Sequence, residues 1–180
     1  MRVSACDEAA AAALPKGAVV SVNVAAEKGM RKAPQPQIRL IVDHGVEGDG
    51  HAGPWHRQVS LLARESIDSM RAKGLDVGPG DFAENVTTEG LLVAELPLGT
   101  RLRLGGCLVE VTQIGKVCHD RCAIYRAAGD CVMPREGVFA RVIEGGPLRA
   151  GDDVAIVTIG QGIAAGVAPD DEHGSEVGKQ

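Results

Sequence analysis

Short runs of aliphatic and β-branched residues, separated by glycine, proline and polar turns, recur along most of the chain. Residues 98–104 alternate between apolar and polar positions, and Gly105-Gly106 joins them to a second run at 107–112, which predicts a β-hairpin. Further strands are predicted at residues 18–24, 38–42, 58–62 and 154–159. The pattern therefore favours a mainly β fold over a helical bundle.

Two segments have helical spacing instead. Residues 64–73 place Ile67 and Met70 on one face and end at Gly74, which predicts a short amphipathic helix. Residues 137–143, which precede Gly145-Gly146, are also predicted to be helical. We thus expect a β-rich α+β fold with a few short helices.

The length of 180 residues and mass of 18.7 kDa fit one domain. Aromatic residues make up only 2% of the chain, so the core must consist of Val, Leu, Ile and Ala. We expect a flexible tail at residues 1–16, a folded domain at 17–159, and a disordered tail at 160–180, which is rich in glycine, alanine and acidic residues.

Charge and cysteine content narrow the class of protein. The net charge of −5 argues against non-specific nucleic-acid binding. Five cysteines are too few for a disulfide scaffold, which indicates a reducing compartment. No signal peptide or membrane-spanning segment is evident, so we expect a cytoplasmic protein without membrane or nucleic-acid partners.

The segment after the strand-like run 108–112 contains the most reactive chemistry. Cys118 follows this run, where a rigid scaffold can present a side chain to a cleft. Lys116, His119 and Arg121 lie within three residues of it, and such neighbours favour thiolate over thiol. The segment predicts a nucleophile or metal ligand at Cys118.

The neighbouring thiols leave several interpretations open. Cys118, His119, Cys122 and Cys131 could form a structural zinc or iron–sulfur site, but their spacing lacks the usual paired pattern. Cys118 and Cys122 would lie one turn apart on a helix and could form a redox pair. The plainest alternative is that some of these cysteines are inert and buried.

Two earlier segments also carry polar candidates. The glycine-rich loop at 44–58 contains a candidate metal set, although its spacing matches no usual zinc pattern and the loop could equally shape a pocket. Glu84-Asn85 stand where the core should begin, so as an inward pair they would need partners or a ligand. The candidate metal set is His44, Asp49, His51 and His56.

Several ordered blocks resemble the MOSC domain, the module named for the C-terminal part of molybdenum cofactor sulfurases, in its small standalone bacterial form. The resemblance covers about residues 17–159 and implies a twisted β-barrel with a few helices packed outside. The blocks that carry it are GVEGDGHAG at 45–53, RQVSLL at 57–62, FAENVTTEG at 82–90, LGTRL at 98–102, TQIGKVCH at 112–119, GDCVMPREGVFARV at 129–142 and GDDV at 151–154.

The resemblance implies that Cys118 carries sulfur as a persulfide or ligates molybdenum of the pterin (molybdopterin) cofactor, which could also occur in a tungsten form. Cys122 and Cys131 are additional to the single family cysteine, which leaves open which thiol reacts first. Basic and amide side chains would hold the cofactor and its phosphate. These are Arg57, Asn85, Lys116, His119, Arg135 and Arg141.

The chain lacks the pyridoxal phosphate domain of full sulfurases, so we expect no bound pyridoxal phosphate. A separate cysteine desulfurase would then donate sulfur, and a molybdoenzyme or a cofactor-synthesis protein would accept it. The sequence is compatible with two other functions. One is a molybdenum-dependent reductase of N-hydroxylated compounds, and the other is a passive cofactor-delivery module without turnover.

Overall fold

The computed structural model describes residues 14–118 and 122–162, and a closed β-barrel forms its centre. The strands within these ranges are β1 (Lys16–Val24), β2 (Ala33–Gln35), β3 (Ile38–Ile41), β4 (Gly45–Val46), β5 (Val59–Ala63), β6 (Val86–Glu89), β7 (Arg101–Leu104), β8 (Cys107–Ile114), β9 (Val138–Glu144), β10 (Gly146–Leu148) and β11 (Asp153–Thr158).

Seven of the described strands close the barrel in the order β11-β7-β8-β9-β5-β6-β1, and β1 returns to pair with β11. Strands β5 and β6 are parallel, whereas the other neighbours in the barrel are antiparallel. A three-stranded sheet, β10-β3-β4, packs its apolar side chains onto the same core. The predicted mainly β barrel is confirmed.

Three short helices occur in the described ranges: α1 (Arg64–Arg71), α2 (Ala123–Ala128) and α3 (Met133–Glu136). They share a second apolar cluster outside the barrel wall, in which Ile67 and Met70 of α1 pack with Ile124 of α2 and Met133 of α3. The predicted helix at 64–73 is confirmed. No helix in the described ranges has the length and apolar character needed to cross a bilayer.

Strand β5 separates the two clusters, which explains its unbroken run of buried residues. Val59 and Leu61 face the barrel interior, while Leu62 belongs to the cluster beneath the helices. A strand covered on both faces loses the usual alternation of apolar and polar positions. Of the residues of β5, Ser60 on this outer side lines the pocket described below.

The predicted helix at 137–143 is wrong, because this segment is strand β9. Val138, Ala140 and Val142 point into the barrel, while Phe139 is buried on the outside among the helices. Burial of Phe139 removes the polar position that would have marked a strand. The short strand β2 is likewise not among the predicted strands.

The predicted hairpin at 98–112 is confirmed as β7 and β8, joined at Gly105-Gly106. Strands near 18–24, 38–42, 58–62 and 154–159 are confirmed as well. Residues 1–13 and 163–180, which make up most of the two predicted tails, lie outside the described residues. The predicted domain limits therefore stay predictions.

Candidate functional site

A pocket of about 90 Å³ lies against the outer face of β5 and β9. Ser60 and Phe139, which are cross-strand partners, both line it. Ala83, just before β6, and Met133 of α3 also contribute. The remaining lining residues are His51, Trp55, Arg57 and Lys116.

Arg57 is held between two aromatic rings. Its guanidinium carbon lies 4.6 Å from the centre of the Trp55 ring and 5.6 Å from that of Phe139. The Trp55 ring is fixed in turn, because its Nε1 donates to the backbone oxygen of His51 at 2.9 Å. These two ring contacts fix the position of the guanidinium at the pocket.

Lys116 reaches the pocket from the chain that leaves β8. The Gln113 side chain donates to the backbone oxygen of Gly115 at 2.8 Å, and Gly115 N–H donates to the oxygen of Gly137 at 2.7 Å. His56 Nε2 lies 2.8 Å from Gln113 Oε1. These contacts fix the backbone immediately before the lysine, so its attachment point is rigid.

A buried ion pair lies behind the pocket. Lys32 Nζ donates to both carboxylate oxygens of Asp49, at 2.6 and 2.7 Å, and the two side chains are 1% and 0% exposed. Asp49 also accepts from the Ala25 N–H at 3.2 Å, the His51 N–H at 2.9 Å and Asn85 Nδ2 at 3.0 Å. Every one of these donors stabilises the charged carboxylate.

The pKa values of the pair follow from burial and hydrogen bonding. Burial by itself would raise the pKa of Asp49, but the proximity of His51, through its ring and its backbone N–H, and of Lys32 outweighs burial and holds that pKa well below its usual range. Burial lowers the pKa of Lys32, and the attraction to Asp49 offsets only part of that effect. We conclude that Asp49 is ionised and opposite the Lys32 ammonium.

Asn85 connects this pair to the floor of the pocket. Its Oδ1 accepts from both the N–H and the hydroxyl of Ser60 at 3.1 Å, while its Nδ2 reaches Asp49 and the backbone oxygen of Asn23 at 3.2 Å. The side chain is buried and belongs to a layer of polar contacts behind the pocket. Asn85 thus holds Ser60 and Asp49 in fixed relation.

Glu84 is a second buried carboxyl group beside this layer. Its Oε1 accepts from the Gly80 N–H at 2.6 Å and the Thr87 hydroxyl at 2.7 Å, whereas Oε2 is buried with no hydrogen-bond partner. Burial raises the pKa of this carboxyl. Glu84 and Asn85 are both buried, which is the inward arrangement that the sequence left open.

The thiols fall into two classes. Cys118 and Cys122 are exposed, whereas Cys107 and Cys131 are buried, and all four are free. Burial raises the pKa of Cys131, and nearby Cys122 and Cys118 raise it further, so the three thiols are within electrostatic range of one another. Burial also raises the pKa of Cys107. The two exposed thiols are the accessible nucleophiles among these four.

The candidate metal sets are not assembled in the described part of the chain. No group of three or more His, Cys, Asp and Glu residues within 14–118 and 122–162 is placed to hold a metal ion. Asp49 is instead paired with Lys32, and His56 contacts Gln113. The set considered for the loop at 44–58 is therefore not assembled, whereas the cysteine set includes His119, which lies outside the described residues.

Comparison with known families identifies the class. A family model of the MOSC domain matches residues 48–155, more than half of the chain. The chain belongs to the MOSC domain family. This family is linked to molybdenum cofactor binding.

Solved structures support the same fold. The chain is similar to the YuaD protein from Bacillus subtilis, with a TM-score of 0.66 and 16% identity over 78% of this chain and 95% of that one. It is also similar to YiiM from Geobacillus stearothermophilus, with a TM-score of 0.57 and 20% identity over 79% of this chain and 75% of that one. For YiiM from Escherichia coli the TM-score is 0.54 and the identity 22%, over 81% of this chain and 70% of that one. At these identities the likeness concerns the fold alone. No curated protein matches the chain.

The residues predicted for this MOSC domain do not all lie in one place. Arg57 and Lys116 line one pocket, and Asn85 supports its floor through Ser60. Cys118 is exposed two residues after Lys116. His119 lies outside the described residues.

The two remaining arginines do not line the pocket. Arg135, at the end of α3, makes two contacts with the carboxylate of Asp130, at 2.6 and 3.1 Å. Arg141 lies on the outer face of β9 and donates to Glu110 at 2.8 Å. Their roles in cofactor binding stay predictions.

Proposed function

We propose that this MOSC domain binds the pterin molybdenum cofactor, in a molybdenum or tungsten form, and uses Cys118 to carry a sulfane sulfur or to ligate the metal. One observation carries the proposal. Two cations, Arg57 and Lys116, line one small pocket, and an exposed thiol follows Lys116 by two residues. The family's link to this cofactor supports the assignment.

The residues of the pocket fit the anionic end of such a cofactor. A cavity of about 90 Å³ accommodates a group of a few heavy atoms, since a water molecule occupies about 30 Å³ of liquid. Arg57 and Lys116 offer several N–H donors, and guanidinium pairs with two phosphate oxygens at once. The larger part of the cofactor would lie outside this cavity. When bound, it would supply a soft metal that thiolate ligates well.

The sulfur step requires only a thiolate and a persulfide donor. The thiolate of Cys118 would attack the terminal sulfur of the persulfide on a cysteine desulfurase, forming a new S–S bond while the donor's S–S bond breaks. The desulfurase cysteine leaves as a thiolate, and Cys118 becomes a persulfide. No oxidant or reductant is consumed. The exposure of Cys118 supports its choice over the buried Cys131 and Cys107.

Intact-protein mass spectrometry tests this step. The full chain is incubated with a cysteine desulfurase and cysteine, and a gain of one sulfur atom, about 32 Da, is expected from thiolate attack on sulfane sulfur. The gain should vanish in Cys118→Ser and persist in Cys107→Ser, which removes a buried thiol. No gain in wild type, or an undiminished gain in Cys118→Ser, would contradict the carrier role.

Cofactor retention tests the pocket separately. Wild type, Arg57→Gln and the surface control Arg39→Gln are purified from cells that make the molybdenum cofactor, and bound metal and pterin are measured. We expect the Arg57 variant to retain at least fivefold less, because a charge-assisted hydrogen bond contributes roughly 1.5 kcal/mol or more. Equal retention by all three proteins would contradict the assignment of this pocket.

A further inference from the structure

His51 lines the pocket, and the Nδ1 atom of its ring is in contact with Lys32. The Lys32 ammonium lies 3.3 Å from Nδ1. An ammonium has donors only, so Nδ1 must be the acceptor in this contact and cannot carry a proton. The proton of the neutral ring therefore lies on Nε2.

The competing arrangement is disfavoured by distance. Nδ1 could carry a proton if it donated to Asp49, but His51 Nδ1 and Asp49 Oδ1 are 3.6 Å apart. That separation is longer than a hydrogen bond. The same Asp49 oxygen already accepts from the His51 backbone N–H at 2.9 Å and from Lys32 at 2.6 Å.

Lys32 is held in the position that this argument needs. Its three ammonium protons match three acceptors, namely the two Asp49 oxygens and His51 Nδ1. Its backbone N–H donates to the oxygen of Gly80 at 2.9 Å. Because its side chain is only 1% exposed, water has little access to replace any of these partners.

We propose that Lys32 and Asp49 form a positioning pair that holds His51 as the Nε2–H tautomer, so that the ring offers a donor to an oxyanion in the pocket. This inference rests on the proposed anion pocket. It adds a neutral donor to the cations Arg57 and Lys116.

The expected ligand group follows from this set of donors. An Nε2 lone pair directed at the pocket would repel an anionic oxygen, whereas an Nε2–H attracts it. A site lined by His51, Arg57 and Lys116 in these forms suits an oxyanion without protons, such as the dianion of a phosphate monoester. The buried pair thus sets the chemical preference of a pocket that it does not itself line.

Nitrogen NMR of the full chain tests the tautomer directly. Long-range proton–nitrogen spectra of histidine-labelled protein at pH 8 distinguish the two neutral forms, and His51→Gln assigns the signal. We expect a protonated Nε2 and a bare Nδ1 in wild type. We expect Lys32→Met to shift the proton towards Nδ1, because the donor opposite that nitrogen is lost. A wild-type ring with Nδ1–H, or a mixture of both forms, would overturn the inference even if Lys32→Met failed to fold.

Titration with inorganic phosphate at constant ionic strength provides the second readout. Loss of one charge-assisted hydrogen bond predicts about tenfold weaker binding in Lys32→Met. The surface control Lys16→Met should bind phosphate within twofold of wild type. Unchanged affinity in a Lys32→Met protein whose tautomer has shifted would overturn the inference. Absence of phosphate binding in wild type would instead count against the proposed anion pocket, and the NMR result alone would then decide the role of Lys32.

Discussion

The buried Lys32–Asp49 pair leads to a measurable stability prediction. Lys32→Met removes the ammonium but leaves Asp49 at 0% side-chain exposure, with the Ala25, His51 and Asn85 donors as its remaining partners. Removing one partner of a buried ion pair costs about 3–5 kcal/mol. The three surviving donors each favour the carboxylate, so we expect a loss near 3 kcal/mol in the free energy of unfolding.

The loss should depend on pH in a defined direction. In wild type the pKa of Asp49 is lowered, so its contribution to stability is present above the ordinary value of 3.8 and is lost only as the pH falls below it. Without Lys32, burial should raise this pKa above 3.8. Protonation would then stabilise the folded variant as the pH falls, and the difference from wild type should be smaller at pH 5 than at pH 7.5.

Urea denaturation followed by circular dichroism at both pH values measures this difference. Lys16→Met is the matched control, because Lys16 is exposed at the start of β1 and surface changes usually stay within about 0.5 kcal/mol. A Lys32→Met protein within 1 kcal/mol of wild type, or a deficit that grows on acidification, would refute the reasoning.

Three further variants test the surroundings of the pocket. In urea denaturation, the stability of Glu84→Gln relative to wild type should increase as the pH rises from 4 to 8. Burial raises the Glu84 pKa, so wild type loses the stability of its protonated carboxyl group as the pH rises through that pKa, whereas the glutamine variant does not. Gly80→Ala should lower the melting temperature more than Gly74→Ala. Both have positive φ, but an added Cβ at Gly80 would overlap a facing backbone oxygen, whereas Gly74 faces open space. Trp55→Leu should weaken phosphate binding about threefold to fivefold in the titration above, because it removes a ring that orients Arg57. Unchanged values in these assays would contradict each argument in turn.

The parts of the fold that sequence could predict are those in which one face of an element meets water. The hairpin of β7 and β8 shows clear alternation, and Ile67 and Met70 mark one face of α1. Strand β9 escaped prediction because Phe139 is buried against the helices while Val138 and Ala140 are buried in the barrel. A strand that is buried on both faces shows no alternation of apolar and polar residues.

The candidate site was predictable only where residue type and family blocks point to it. Arg57, Asn85 and Lys116 were found in this way, and the structure brings them to one pocket or its floor. Lys32 carried no signal, because it lies in a polar loop and lysine is seldom buried. Its partner Asp49 is 17 positions away and was considered only as a metal ligand. Sequence spacing does not reveal a pairing that depends on how two loops cross.

The register of the barrel explains why the segments before β6 and β9 and the segment after β8 meet beside Ser60. Val86 at the start of β6 and Val138 at the start of β9 are both paired with Leu61, from opposite sides of β5. Strand β8 ends opposite the same Val138. Segments that enter β6 and β9 and leave β8 must therefore cross beside the middle of β5, which brings lining residues from three separate segments together. The exposed Cys118 lies four positions after the end of β8, so the strand pairing that creates the pocket also sets the point from which the thiol is presented.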